Sequence, residues 1–171
     1  SLVNLNHALS DKGYYLEVKD NYKFNKVLVV YNLFTCELNE NFLNFRNKIN
    51  VGKNSELHMI EFVLNDSKKN FFSNTYENFT LQDKAVLKNI YIHNNKSNGY
   101  FHKFAENDLS EGSDFLYYIF PTGAKLNKLD LKFNLNGEHS ICNLQAAAFL
   151  DKDEHHEIKS RVNHLAPNSK S

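Results

Sequence analysis

The sequence has few of the residues and motifs that usually mark enzyme active sites. Its 171 residues include two Cys, two Pro, six Gly and no Trp. It contains no Gly-rich phosphate loop, no G-x-S-x-G and no H-E-x-x-H motif. These absences argue against nucleotide hydrolysis, a serine hydrolase of the nucleophile-elbow type and a zinc protease. We therefore expect no phosphate-binding or nucleotide-hydrolysing chemistry in this chain.

Long apolar runs and an excess of charge are also missing. There is no run of about 18 apolar residues and no signal-peptide pattern, so we expect neither a membrane span nor export. Twenty acidic residues balance twenty basic ones, which gives no support to nucleic-acid binding. Cys36 and Cys142 lack a C-x-x-C spacing, and we favour two buried thiols in the reducing cytoplasm over a single disulfide bond.

The chain is instead rich in short strand-like runs. Three of them follow one another at Lys128–Leu135, Ser140–Leu150 and Glu157–Leu165, with no helix between them. Short strands at near-regular spacing must be buried by pairing with neighbours. Coiling into stacked turns is one of few ways to achieve this.

Polar corners between the runs form a weak internal repeat. Gly52–Ser55, Gln82–Ala85 and Asn136–His139 look equivalent, because each leads into another strand. The repeat period is loose, with predicted insertions at Asn65–Asn70 and Asn94–Gly99. A coiled stack, a sandwich and a barrel all remain possible on this pattern alone.

Other segments have their own predictions. Leu2, Leu5, Ala8 and Leu9 recur at helical spacing, which predicts a short amphipathic helix that stops before Gly13. Three further segments are predicted as irregular or as strand ends: a connecting turn at Phe42–Arg46, a loop or outside strand at Phe101–Glu111, and a strand end at Pro121–Gly123.

Histidine gives the one local cluster of metal-ligand type. His155, His156 and His164 lie near one another in sequence, but His156 and His164 would be about 26 Å apart on one straight strand at about 3.3 Å per residue. We favour a polar corner followed by a strand in which His164 bonds a backbone carbonyl, with a metal site as the less favoured alternative. Glu61 is expected to be a partnered or surface carboxylate, and Cys142 a small buried hydrophobe.

A resemblance to a known family covers nearly the whole chain. It is carried by LNG-x-x-S at Leu135–Ser140, by the small residues Ala146–Ala148, by Val162, His164, Pro167 and Ser171, and by the segments Leu5–Val18 and Phe45–Glu61. In their order and spacing these pieces resemble the core domain shared by SufB and SufD, the scaffold proteins of SUF iron-sulfur cluster assembly. The two upstream segments look like the SufD branch.

The resemblance implies a fold and a division of the chain. It implies an all-β parallel β-helix with a short N-terminal helix, divided into a helix at 1–13 and a core at 14–171. It also implies that the chain is cut short at its C-terminus, with the functional Cys-x-His pair and the helices that hold the ATPase lying beyond Ser171. Gly137, His164 and Pro167 are the matched motif positions, expected to be structural.

The resemblance further implies a function and partners. The expected role is a non-catalytic, SufD-like scaffold that works in the cytoplasm with a SufB-like scaffold and a SufC-like ATPase, with self-association of the chain as a further possibility. The iron-sulfur cluster is assembled by the whole complex, and no cofactor is expected on this chain. The SufB branch has a working cysteine just before the L-x-G corner, where this chain has Phe133.

Three alternatives stay open. A β-helix enzyme acting on polysaccharide would need several carboxylates on one sheet face, and no three Asp or Glu recur at matched positions of successive strands. A SufB-type scaffold is the second alternative, and a binding module of sandwich type is the third. Antiparallel hairpins would favour the sandwich.

Overall fold

The computed structural model of the chain is a parallel β-solenoid of about five turns that opens with one short helix. The structure describes residues 1–38, 42–95 and 98–171. The elements in chain order are α1 (Leu2–Leu9), β1 (Tyr15–Val18), β2 (Lys23–Phe34), β3 (Phe42–Val51), β4 (Glu56–Asn65), β5 (Phe71–Leu81), β6 (Val86–Asn95), β7 (Gly99–Leu109), β8 (Asp114–Gly123), β9 (Leu126–Leu135), β10 (Ile141–Ala146) and β11 (His155–His164). The all-β parallel β-helix that the resemblance implied is confirmed.

Two sheets face each other across the solenoid. The odd-numbered strands form a six-stranded sheet in the order β1-β3-β5-β7-β9-β11, and the even-numbered strands form a five-stranded sheet in the order β10-β8-β6-β4-β2. In the middle coils, paired residues lie 26 to 30 positions apart, as in Tyr100 with Leu126 and Phe42 with Phe72. Every pairing between the described strands is parallel, which rules out the antiparallel sandwich.

The core consists of equivalent positions stacked from coil to coil. Alternate side chains of each strand point inward, and register pairs them in ladders that run along the solenoid. One ladder is Val51, Leu81, Leu109 and Leu135 of the six-stranded sheet. A second is Leu57, Leu87, Phe115 and Cys142 of the five-stranded sheet. All eight residues are buried.

The predicted corners share one backbone geometry. A residue with positive φ occupies the same place in each, at Asn54 (55°), Lys84 (57°) and His139 (58°). The structure adds corners outside the three of the predicted repeat, with positive φ at Asn21, Gly112 and Asn168. Neighbouring corners are joined by backbone bonds, such as Asn54 N to Asp83 O at 3.0 Å and Lys84 N to Glu111 O at 2.7 Å. The third predicted corner is one residue longer than the others and runs to Ser140.

The opening helix is where predicted, but it docks by a polar side chain. Leu2, Leu5 and Leu9 are 37%, 38% and 56% exposed, so the predicted apolar stripe is only partly covered. Asn6 is fully buried and donates from Nδ2 to the Phe45 and Asn74 carbonyls at 2.9 and 2.8 Å. The hydrophobic spacing correctly located the helix, but its one buried side chain is the polar Asn6 rather than a leucine.

Two other segment predictions are corrected, and a third is confirmed. Phe42–Arg46 is the start of β3 rather than a turn, and Phe101–Glu111 forms most of β7, an inner strand between β5 and β9. The predicted strand end at Pro121–Gly123 is confirmed, because β8 ends at Gly123. Pro121 is tolerated because its backbone faces the side on which β10 has already ended, where its carbonyl accepts from Phe149 N at 3.4 Å.

The two predicted insertions have different outcomes. The first is confirmed, because β4 ends at Asn65 and β5 begins at Phe71. The second, Asn94–Gly99, contains residues 96 and 97, which lie outside the described residues. Over 1–38, 42–95 and 98–171, no helix is long and apolar enough to cross a membrane.

Candidate functional site

The lumen between the two sheets contains a buried ionic cluster. Lys103 Nζ lies 3.1 Å from Glu61 Oε2 and 2.6 Å from Glu77 Oε2, and all three side chains are at most 6% exposed. Asn89 donates to Glu61 Oε1 at 2.9 Å, and Lys103 Nζ stands 4.2 Å from the centre of the Tyr91 ring. Buried charges are tolerated when they are paired in this way.

Strand alternation explains why these charges point inward. Glu61 shares the inward face of β4 with Met59 and Val63, and Lys103 shares the inward face of β7 with Ala105. Glu61 was predicted to be either a partnered or a surface carboxylate, and in the structure it is partnered. Lys103 was missed because its segment was read as a loop or outside strand, where its side chain would be in water.

The cluster perturbs the ionisation of its members. Burial, with the nearby charge of Glu61, raises the pKa of Glu77 to about 7. Burial alone would lower the pKa of Lys103, but Glu61 and Glu77 raise it well above its usual value. Burial also raises the pKa of the Tyr91 and Tyr117 phenols. Near neutral pH, Lys103 is therefore charged while Glu77 can hold or release a proton.

A cavity of about 240 Å³ adjoins this cluster. Asn47, Glu61 and Lys103 give it a polar wall, and Phe34 and Phe101 give it an aromatic one. Pockets for drug-sized ligands measure roughly 300 to 1,000 Å³. The cavity is thus suited to water or a very small molecule, not to a stretch of polysaccharide.

Three carboxylates lie on the outer face of the six-stranded sheet, and each interacts with another side chain of this chain. Glu106 accepts from Lys132 at 2.7 Å, Asp108 accepts from Asn134 at 2.9 Å, and Asp130 lies 3.1 Å from His102 Nε2. Glu106 also accepts from the Tyr76 hydroxyl at 2.9 Å. Glu106 and Asp108 lie on β7 and Asp130 on β9, and no two of the three are register partners, in agreement with the lack of a matched set in the sequence pattern.

The three histidines singled out from the sequence are not brought together. All lie on β11, where His155 is exposed and His156 donates to the Gly123 carbonyl at 2.8 Å. His164 bonds the Ser169 and Ser171 hydroxyls at 2.8 and 3.2 Å, so the expected backbone-carbonyl partner is wrong. Among the described residues, no group of three or more His, Cys, Asp or Glu is arranged to hold a metal ion.

A second polar group in the lumen was missed by the sequence reading. His93 of β6 and Asn127 of β9 are 0% and 1% exposed, and His93 Nδ1 lies 2.8 Å from the Asn127 amide. His156 is the register partner of Asn127 on the next strand. The available signal was weak: His93 alternates with Tyr91 on one strand face, but nothing local pairs it with a residue 34 positions away.

The matched motif residues occupy the last two corners. A Cβ added to Gly137 would lie 2.0 Å from Glu111 N, so this position admits only glycine without backbone movement. Pro167 precedes Asn168, which has a φ of 58° in the corner after β11, and His164 is the last residue of that strand. Their expected structural roles remain predictions that the geometry suits.

The cysteines and Phe133 differ in environment. Cys142 is buried and free, as expected, and burial raises the pKa of its thiol to about 12. Cys36 is free but exposed, so the expectation of two buried thiols was wrong for it. Phe133 is fully buried, with its ring 6.0 Å from that of Phe115 in an edge-to-face contact.

Most of the chain matches a known protein family. Residues 34–171 match the protein-family model described as the SufBD core domain of SUF system FeS cluster assembly. No curated protein and no solved structure matches the chain.

Proposed function

Because the chain belongs to the SufBD core domain family of the SUF system for iron-sulfur cluster assembly, we propose that it acts there as a scaffold of the SufD type. Family membership gives the role in SUF cluster assembly and, in general terms, interaction with other SUF components. The SufD assignment, the division into a helix at 1–13 and a core at 14–171, the cytoplasmic location and the specific partners are parts of the proposal.

Phe133 is the observation that favours SufD over SufB. The SufB branch, by the resemblance described above, has a working cysteine at this position. Here the side chain is a fully buried phenylalanine that contacts the Phe115 ring in the core. A phenyl ring cannot accept sulfur, and the nearest inward thiol of the ladders, Cys142, is held in its poorly nucleophilic form by its raised pKa.

The solenoid supports a mechanical function for the proposed scaffold. Parallel hydrogen-bond ladders run along its length and join each coil to the next, as do the bonds between neighbouring corners. Such a stack resists bending between its ends. We propose that it transmits movement of a SufC-like ATPase to a SufB-like partner.

Genetic replacement tests the SufD assignment. The protein expressed from its own gene is placed in cells that lack SufD and, separately, in cells that lack SufB, and cluster-dependent enzyme activity is measured. We expect rescue of the first strain and not of the second, with SufB-like and SufC-like proteins co-purifying with the tagged protein. Rescue of the second strain alone would assign it to SufB, and absence of both rescue and co-purification would overturn the scaffold role.

A further inference from the structure

The outer face of the five-stranded sheet is apolar. Its outward side chains pair in register in two rows, Val29-Ile60-Ile90-Tyr118 and Tyr31-Phe62-Ile92-Phe120, which together form the apolar face. The strand neighbours of these residues, such as Glu61 and Tyr91, are buried in the lumen, so the rows point outward. The helix α1 contacts β3 and β5 of the other sheet. Over residues 1–38, 42–95 and 98–171, no helix therefore covers the apolar face.

The apolar face is large enough for a stable protein interface. The most exposed side chains in it and beside it are Val27, Val29, Tyr31, Leu33, Phe120 and Phe149, at 39% to 69%. At roughly 200 Å² for a fully exposed side chain of this size, these fractions amount to roughly 600 Å². The half-buried members of the two rows add to this area, and a stable interface buries about 800 Å² on each partner. Since monomeric proteins rarely expose apolar patches larger than a few hundred Å², this face fits a protein partner.

The charges at the rim of the apolar face indicate which partner fits it. Towards the end of the sheet where its strands begin, the rim contains Lys23, Glu56, His58, Lys88 and Asp114. Both signs are present, and Glu56 is already paired with His58 at 3.0 Å. Lys23 on β2 and Asp114 on β8 stand at opposite edges of the apolar rows. A rim with opposite charges at its two edges is complementary to a second copy of itself.

We propose that the apolar face binds the same face of a second copy of this chain, about a two-fold axis that runs parallel to the strands between β4 and β6. This axis places β8 of one copy over β2 of the other, with the facing strands within about 30° as in aligned sheet packing. Tyr31 then lies opposite Phe120 of the second copy. Lys23 lies opposite Asp114 of the second copy, and the two-fold axis makes this contact twice.

Sedimentation equilibrium of the full chain over a range of concentrations tests the dimer. We expect a monomer–dimer equilibrium that Tyr31→Lys weakens by about tenfold or more, because the variant buries a charge within an apolar interface. Leu33→Lys should act in the same direction. Tyr15→Lys is the matched control, since Tyr15 is as exposed as Tyr31, at 60%, but lies on β1 of the other sheet. All three positions are exposed, and circular dichroism checks that the variants fold.

Charge reversal tests the two-fold arrangement. Lys23→Asp and Asp114→Lys should each weaken the dimer by roughly threefold or more, the effect expected of two exposed ion pairs. The double variant should regain the affinity of the natural chain, because it restores opposite charges at both edges. These measurements read the oligomeric state alone, so their outcome does not depend on the SufD assignment.

Three results would overturn the proposal. The first is a chain that stays monomeric at every concentration up to its solubility limit, which would leave the apolar face to a different protein. The second is a dimer that Tyr31→Lys does not weaken, or that Tyr15→Lys weakens equally, which would place the contact elsewhere on the solenoid. The third is a double charge reversal that does not regain affinity, which would exclude the two-fold axis along the strands.

Discussion

At the scale of single residues, Lys103 matters because it lies between two carboxylates that have little other compensation. Its Nζ is 3.1 Å from Glu61 and 2.6 Å from Glu77, inside the lumen. Removing one member of a buried ion group leaves the others uncompensated in a medium of low polarity. Surface ion pairs of similar length contribute far less, since water screens them.

Replacing Lys103 by methionine should therefore destabilise the protein strongly. We expect Lys103→Met to lower the free energy of unfolding by about 3 to 5 kcal/mol, measured by urea denaturation. Lys132→Met is the matched control, because Lys132 pairs with Glu106 at 2.7 Å on the outer face with its side chain 34% exposed. That change should cost about 1 kcal/mol or less. Equal losses in the two variants would contradict the buried cluster.

Glu77 should give the protein a pH-dependent stability. Burial, with Glu61, raises its pKa in the folded state to about 7, above the usual value of 4.5. A raised carboxyl pKa contributes stability below the unfolded pKa, and that contribution is lost as pH rises through about 7. We expect Glu77→Gln to become more stable relative to the natural protein between pH 5 and pH 8, in urea titrations at both pH values.

Glu106→Gln is the control for that experiment. The Lys132 hydrogen bond holds the pKa of Glu106 below its usual value, so this carboxylate stays ionised over the whole range from pH 5 to pH 8. Its replacement should change stability by the same amount at both pH values. If Glu77→Gln also shows no difference between the two pH values, Glu77 does not titrate in this range.

At the scale of elements, the corners determine how closely successive coils stack. Positive φ recurs at one position in each, and the corner backbones are hydrogen-bonded to one another. Gly137 is the tightest contact in this set, because its missing Cβ leaves room for the backbone of Glu111. Gly112 differs, since a Cβ there would meet only Lys84 Cγ, at 3.4 Å.

A side chain at Gly137 should therefore push two corners apart. We expect Gly137→Ala to cost about 1 to 3 kcal/mol or more, the usual range for overpacking, measured by urea or thermal unfolding. Gly112→Asn should cost much less, because asparagine adopts positive φ readily and already does so at Asn21, Asn54 and Asn168. A larger loss for Gly112→Asn than for Gly137→Ala would contradict this reading of the corners.

Segment predictions were correct where the structure depends on residues nearby in sequence, and wrong where it depends on residues far away in sequence. The helix α1 and the corners were found because spacing and turn residues are local signals. The burial of Asn6 was not, because its side chain is satisfied by carbonyls of β3 and β5, 39 and 68 positions away. Phe101–Glu111 looked like a loop because its inward Lys103 is acceptable only when Glu61 and Glu77 surround it.

At the scale of the whole molecule, the solenoid is most protected in its middle coils. Among the described residues, strands β5 to β8 have a partner on both sides, whereas β1 and β2 at one end and β10 and β11 at the other each pair with one strand. The first of the even strands also exposes Val27, Val29, Tyr31 and Leu33, at 40% to 63%. Stacked coils contact only their neighbours, so opening should begin at the ends.

Hydrogen exchange should report this gradient. We expect backbone amides of β5 to β8 to exchange the slowest, and those of β1, β2, β10 and β11 to exchange the fastest, by mass spectrometry of the native chain. Side-chain burial falls in the same order, since β2, β10 and β11 are largely exposed or half-buried while β5 and β8 alternate with buried residues. Uniform protection from end to end would show that the solenoid opens as one unit.

The sequence by itself determined the strand-and-corner pattern, the inward alternation within most strands and the resemblance that implied a SUF scaffold. These features are local, because turn residues and the two-residue period act within a few positions of the chain. Only the tertiary structure decided which inward polar groups meet: Lys103 with Glu61, 42 positions away, and His93 with Asn127, 34 positions away. Coil lengths vary between neighbours, and a shift of one residue would turn each of these side chains to the opposite face, so their meeting depends on the register of the completed stack.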